Sequence, residues 1–144
     1  MRVADILKSK GQHVVTIVPE ESIRSLSQRL RREHIGAVVV SYDGKTIDGI
    51  ISERDIAHGV DVHGNALLDK KVGDLMTTAV FTCTRDDTVS QLMKLMTEKR
   101  IRHVPVFEND ELIGLISIGD VVKFRLEELQ MEANVMRDIA IANR

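Results

Sequence analysis

Two short stretches carry residue types that can hold a small molecule. One is Gly49-Ile50-Ile51-Ser52-Glu53-Arg54-Asp55; the other is Gly114-Leu115-Ile116-Ser117-Ile118-Gly119-Asp120. Each reads as the end of an apolar strand, a sharp turn at a hydroxyl residue and the first turn of a helix. A glycine lets something approach the backbone closely. A serine at a helix start stands beside N–H groups with no intrahelical partner, which can hold an anion. The aspartate three residues later adds two acceptor oxygens at the same mouth. A phosphate at the N–H end and ribose hydroxyls at the carboxylate fit that chemistry. The same Ser-x-x-Asp spacing also resembles a capping box, which only stabilises a helix start. Its occurrence twice, at equivalent places of a repeat, favours the ligand reading.

Mouths of this kind must be positioned by strands and helices, and the chain supplies these twice. Val3 to Lys8 is a short apolar segment that predicts a helical turn, and Val14 to Val18 a β-rich run ending at Pro19. Glu20-Glu21-Ser22 opens a helix on which Ile23, Leu26 and Leu30 share one face. That helix ends at His34-Ile35-Gly36. Ala37 to Val40 predicts a strand buried on both faces, and an Asp43-Gly44 turn leads into a returning strand, Thr46 to Ile51. Gly59 to Asp69 is polar and reads as the connection. The order then recurs. Val72 to Met76 echoes Val3 to Leu7, and Val80 to Thr82 echoes Val14 to Thr16. Val89, Leu92 and Met96 replace Ile23, Leu26 and Leu30, while Val104-Pro105-Val106 replaces Val38-Val39-Val40. One residue is gained or lost at the hairpin. A β-α-β-β-α unit of this size buries its own face poorly, so two units packed together are expected. From Asp120 a helix continues to about Ala140. Val122, Leu126, Leu129, Ala133, Met136 and Ala140 form a stripe on it that calls for a partner, with self-association favoured.

The composition narrows the classes. Hydrophobic residues make up 43% of the 144-residue chain and aromatics only 3%, so the core rests on Val, Ile, Leu and Met. A net charge of −2 with mixed signs argues against a nucleic-acid or membrane-surface protein. Arg24, Arg29, Arg31 and Arg32 are interspersed with Glu21 and Glu33 and read as a solvated helix face. The single cysteine, Cys83, leaves no internal disulfide and reads as a buried, inert thiol. His58, Asp61 and His63 lack a further strong ligand, so no metal is expected. With no membrane-length apolar run and no signal-peptide pattern at Met1-Arg2-Val3-Ala4-Asp5, a reducing cytoplasm is the expected compartment.

The ordered set of segments resembles a pair of CBS domains, the Bateman module, over roughly Val3 to Arg125. The matching pieces are Val14-Val15-Thr16, His34 to Val40 and Gly49 to Asp55, then Phe81 to Thr84, Arg100 to Val106 and Gly114 to Asp120. The chain is similar to stand-alone bacterial two-CBS proteins. The resemblance implies an α/β (α+β) fold of two pseudo-twofold-related β-α-β-β-α units packed face to face. Residues 1–65 would form the first unit, 66–125 the second and 126–144 a C-terminal helical extension. It also implies regulatory, non-catalytic binding of adenosyl ligands such as AMP, ADP, ATP, S-adenosylmethionine or NAD(H), in a homodimer read by a downstream protein partner. Carried over, Asp55 and Asp120 would hold ribose, with Ser52 and Ser117 near phosphate. Thr16, Ile17, Ile35 and Ala37 would surround one base, and Thr82, Thr84, Ile101 and His103 the other. Gly36 and Pro105 belong to the same candidate set.

The residues add an asymmetry. The first motif contains Arg54 but has Gly36-Ala37 before its strand; the second contains Gly119 but has Arg102-His103 there. If the mouths face each other, Arg54, Arg102 and His103 converge on one phosphate group or diphosphate. AMP is the first expectation, because it fits one mouth, and NAD(H) the second. The alternative is an interaction module whose sites are too degenerate to bind. An enzyme is not expected, because no P-loop lysine, activated nucleophile or metal-binding carboxylate cluster is visible.

Overall fold

The computed structural model describes residues 1–143. In the first unit, strand β1 (Thr16–Ile17) is followed by helix α2 (Ile23–Glu33), strands β2 (Ala37–Val40) and β3 (Gly49–Ser52), and helix α3 (Glu53–His63). In the second, helix α5 (Val89–Lys99) leads to strands β4 (His103–Glu108) and β5 (Glu111–Ser117) and helix α6 (Ile118–Ala142). Helix α1 (Val3–Lys10) precedes the first unit, and a 3-10 turn (Gly64–Asp69) and helix α4 (Val72–Leu75) precede the second. Local chemistry sets the ends. The Ser22 hydroxyl accepts from the Ser25 N–H (3.1 Å) at the start of α2, and Thr88 and Gln91 form a reciprocal box at α5. Both helices end on a left-handed residue, His34 and Arg100, each at φ 54°. The next N–H, of Ile35 or Ile101, then folds back onto Leu30 or Met96.

In the first unit β1 pairs parallel to β2, and β2 antiparallel to β3. The expected opening strand of the second unit is reduced to a single parallel bridge, Cys83 to Val106. Proline is the reason. Cys83 N–H donates to the Pro105 carbonyl and Phe107 N–H to the Cys83 carbonyl. The next donor back along β4 would be Pro105, which has no N–H. The β4–β5 hairpin turns through Asn109 and Asp110, both at positive φ (51° and 59°), as its tight geometry requires. The first hairpin is looser. Asp43 Oδ1 accepts from the Lys45 and Thr46 N–H groups, and the returning strand begins only at Gly49.

There are two cores, and they exchange segments. Ile23, Leu26, Leu30, Val38, Val40 and Ile51 pack with Leu67 and Val72, which come from the beginning of the second repeat. Val89, Leu92, Met96, Val104, Val106, Ile116 and Val121 pack with Val3, Ile6 and Leu7 of α1. Backbone bonds repeat the exchange. Val3 and Ala4 N–H donate to Asp87 and Arg85, while Val72 and Gly73 donate to Glu21 and Pro19. Burial of three apolar side chains stabilises the α1 docking by about 1.5–3 kcal/mol each. The units in space therefore differ from the halves in sequence.

The Gly59–Asp69 connection takes regular structure: α3 runs through Gly59, and the 3-10 turn buries Leu67. A Cβ on Gly59 would lie 2.6 Å from Leu67 Cδ1 and 2.7 Å from Leu75 Cδ2, so this glycine serves helix packing. The repeats also differ before their first strand, because α1 has 8 residues and α4 only 4. At the other end α6, with 25 residues, is about 37 Å long. Its stripe is exposed, with Leu126 at 61% and Met136 at 71%.

Candidate functional site

Each motif closes on itself before any ligand is considered. At the head of α3, the Ser52 N–H donates to Asp55 Oδ2 at 2.8 Å, and the Ser52 hydroxyl lies 3.2 Å from the same oxygen. At the head of α6, the Ser117 N–H donates to Asp120 Oδ2 at 2.9 Å, and the Asp120 N–H to Ser117 Oγ at 3.1 Å. The capping role is thus present in both copies. The glycines that open the motifs are explained by packing. A Cβ at Gly49 would meet Met76 Sδ at 2.8 Å, and one at Gly114 would meet Leu7 Cδ2 at 2.5 Å. What approaches the backbone at these glycines is the side chain of the exchanged helix or its cap.

The same helix starts line two cavities. The first, of about 250 Å³, joins Ser52, Arg54 and Asp55 to Ile101, Arg102 and His103, with Val80 and Phe81 along its side. The second, of about 510 Å³, joins Ser117 and Asp120 to Ile35, Gly36 and Ala37, with Val14 and Val15 along its side. Each mouth therefore takes its helix start from one unit and its strand entry from the other. Gly36, Ala37, Arg102 and His103 border both cavities. The His103 ring lies against Gly36, where an added Cβ would stand 3.3 Å from Cε1. A side chain at position 36 would press on the wall between the mouths.

Of the expected residues, Thr16, Ile17, Thr82, Thr84 and Pro105 line neither cavity. Ile17 and Pro105 are buried, and the Thr84 N–H is taken by Asp87 at 2.8 Å. The segments that pass the mouths are Val14-Val15 and Val80-Phe81, just upstream on the same extended stretches. Arg54, Arg102 and His103 all line the first cavity. There Arg54 Nη1 donates to the Arg100 carbonyl of the other unit at 2.8 Å.

Residues unmarked by the motif complete the site. Phe81, 42% exposed and with Lys99 Nζ 5.3 Å from its ring centroid, gives the first cavity a flat apolar surface. Lys10 enters the second. Its ammonium lies 2.6 Å from Asp120 Oδ2 and 2.6 Å from the Leu115 carbonyl. No motif points to Lys10; the last turn of α1 carries it, whereas after α4 the Thr77 N–H takes the matching Ile50 carbonyl at 2.9 Å and Ala79 lines the first cavity. Among the described residues no ion pair reaches Asp55. Burial pushes the Asp120 carboxyl up, but bonds from Lys10 and Ser117 outweigh that and hold it below its usual value. Burial, then the Lys10 charge, lower the His103 imidazole, with Arg102 adding and Asp120 opposing. Away from the mouths, burial and the charges of Asp87 and Glu108 push the Cys83 thiol up to about 12. Among the described residues no group of three or more His, Cys, Asp or Glu side chains is placed to hold a metal ion, and no helix is long and apolar enough to cross a membrane.

The chain resembles known proteins over most of its length. A family model described as the CBS domain matches residues 3–61 and again 72–127. A mitochondrial CBS domain-containing protein of Arabidopsis thaliana is 34% identical over 138 residues, covering 90% of this chain and 67% of that protein. Of three curated relatives that it matches, the chain spans 67%, 63% and 24% of the length. The crystal structure of a CBS-domain containing protein from Agrobacterium tumefaciens superposes with a TM-score of 0.84 at 46% identity, over 87% of this chain and 99% of that one. A CBS domain pair solved in complex with 5′-methylthioadenosine and S-adenosyl-L-methionine shares the fold, with a TM-score of 0.75 at 24% identity over 86% of this chain and 98% of that one.

Proposed function

Because the chain belongs to the CBS-domain family as a tandem pair, we propose that it is a non-catalytic regulatory module that binds an adenine nucleotide in the two mouths. One observation carries this reading: each cavity takes a Ser-x-x-Asp helix start from one unit and a strand entry from the other. A ligand in either mouth touches both units and biases their arrangement, which is what a partner can read. In the first mouth the base lies along Val80, Phe81 and Ile101, the ribose on Asp55, and the phosphate by Ser52 with Arg54, Arg102 and His103. In the second, Val14, Val15 and Ile35 take the base, Asp120 the ribose and Ser117 the phosphate side. AMP is the first candidate, since one mouth accommodates it; NAD(H), spanning both, is the second. The relative crystallised with 5′-methylthioadenosine and S-adenosyl-L-methionine supports the adenosyl class. The exposed α6 stripe supports a homodimer, and a lone cysteine suits a reducing cytoplasm.

The test is a thermal-shift panel with AMP, ADP, ATP, NAD, NADH and S-adenosylmethionine on the full chain and on Asp55→Ala and Asp120→Ala. A native-state ligand at a hundred times its Kd adds about 2.7 kcal/mol, roughly 5–10 °C for a chain of this size. The expected result is a rise with one ligand that an aspartate variant loses. No rise with any ligand overturns the reading in favour of an interaction module with degenerate sites. Turnover of ATP or NADH by the pure protein overturns the non-catalytic assignment.

A further inference from the structure

Resting on the adenosyl reading, we propose that Lys10 makes the two mouths chemically unequal: the mouth at Asp120 accepts only adenosyl ligands that carry an anionic phosphate, while the mouth at Asp55 also accepts uncharged ones. The Asp120 carboxylate is already engaged, by the Ser117 N–H at 2.9 Å and by the Lys10 ammonium at 2.6 Å. The ammonium also holds the Leu115 carbonyl at 2.6 Å. Both contacts fall on Oδ2, so a ribose that takes both carboxylate oxygens with its two hydroxyls displaces that ammonium from its carboxylate partner. A phosphate on the same ligand supplies the partner, and His13 and Arg102, which line the same cavity, add to its reception. Adenosine brings no such group, and a sulfonium ligand brings a like charge. At the other mouth Asp55 carries no ion pair among the described residues, and Arg54 is held on the Arg100 carbonyl. The inequality is built by chain length: α1 is one turn longer than α4, and that turn carries Lys10.

Isothermal titration of the full chain with AMP and with adenosine tests this, using the parent, Lys10→Met, Lys10→Arg and Asp55→Ala. The parent takes two AMP per chain but one adenosine, and Asp55→Ala abolishes adenosine binding. Lys10→Met gains a second adenosine and weakens AMP at the second mouth about five- to tenfold. Lys10→Arg, which keeps the charge, still excludes the second adenosine. Two adenosines in the parent, or an unchanged adenosine count in Lys10→Met while AMP still binds, overturn the proposal and leave the adenosyl reading standing. Failure of both AMP and adenosine to bind any of the four proteins overturns this proposal, while the adenosyl reading falls only if every ligand of the thermal-shift panel fails as well.

Discussion

Leu7 and Gly114 offer a sharp check on the exchange of segments that builds both mouths. Leu7 is 2% exposed in the core of the second unit. A Cβ at Gly114 would lie 2.5 Å from Leu7 Cδ2 and 3.6 Å from both Cδ1 and Cγ. Leu7→Ala removes all three of these atoms and costs about 2–5 kcal/mol through lost transfer and a residual cavity. Gly114→Ala alone overpacks the site for about 1–3 kcal/mol. The loss of backbone freedom in the unfolded chain returns about 0.5–1 kcal/mol at a strand position. In the Leu7→Ala background the clash is gone and the new methyl enters the void, so Gly114→Ala becomes neutral or stabilising. The double-mutant cycle should show about 1–3 kcal/mol of favourable coupling between positions 107 residues apart in sequence. Urea unfolding followed by far-UV circular dichroism, at one protein concentration, measures it. Hydrogen exchange in Leu7→Ala should quicken at Val104–Val106 and Ile116 before Val38–Val40. Additivity within about 0.5 kcal/mol would refute the docking of α1 on β5.

Two further outcomes follow from the charges and from the helix extension. His103 has a folded-state pKa lowered from 6.5 by burial and then by Lys10. Above pH 6.5 the imidazole is neutral in both states; below it the unfolded chain takes a proton that the folded one resists, so stability falls as pH falls toward the folded value. Asp120, lowered from 3.8 with burial opposing, adds stability above that value and loses it as pH falls further. The melting temperature of the parent should therefore drop on acidification below pH 6.5, and His103→Asn should drop less; parallel curves would contradict the burial of this imidazole. On α6, Leu129 is 45% and Met136 71% exposed. Leu129→Glu with Met136→Glu should halve the sedimenting mass and leave both units folded; an unchanged mass would remove the stripe from the dimer interface.

Much of this protein is legible in its sequence because much of it is decided by neighbours along the chain. The spacing of Ile23, Leu26 and Leu30 and of Val89, Leu92 and Met96 specifies one helical face in each unit. Ser22 and Thr88 start those helices, Asn109-Asp110 turns a hairpin, and Ser52…Asp55 and Ser117…Asp120 begin α3 and α6. These are contacts over three or four residues, and residue type alone sets them. Tertiary packing decided the rest. Val3 and Val72 are equally apolar in sequence, yet each completes the core of the opposite repeat. That exchange explains Gly49 and Gly114, which a local reading assigns to a ligand. The pairing of Asp55 with Ile101 and Phe81, and of Asp120 with Ile35 and Val14, follows from how two apolar faces meet, and no spacing records that. Lys10 is one of many surface lysines until an extra helical turn lays its ammonium on Asp120. Hydrophobic burial is non-directional, so a pattern says that a face will be covered, while the shapes of both faces determine what covers it.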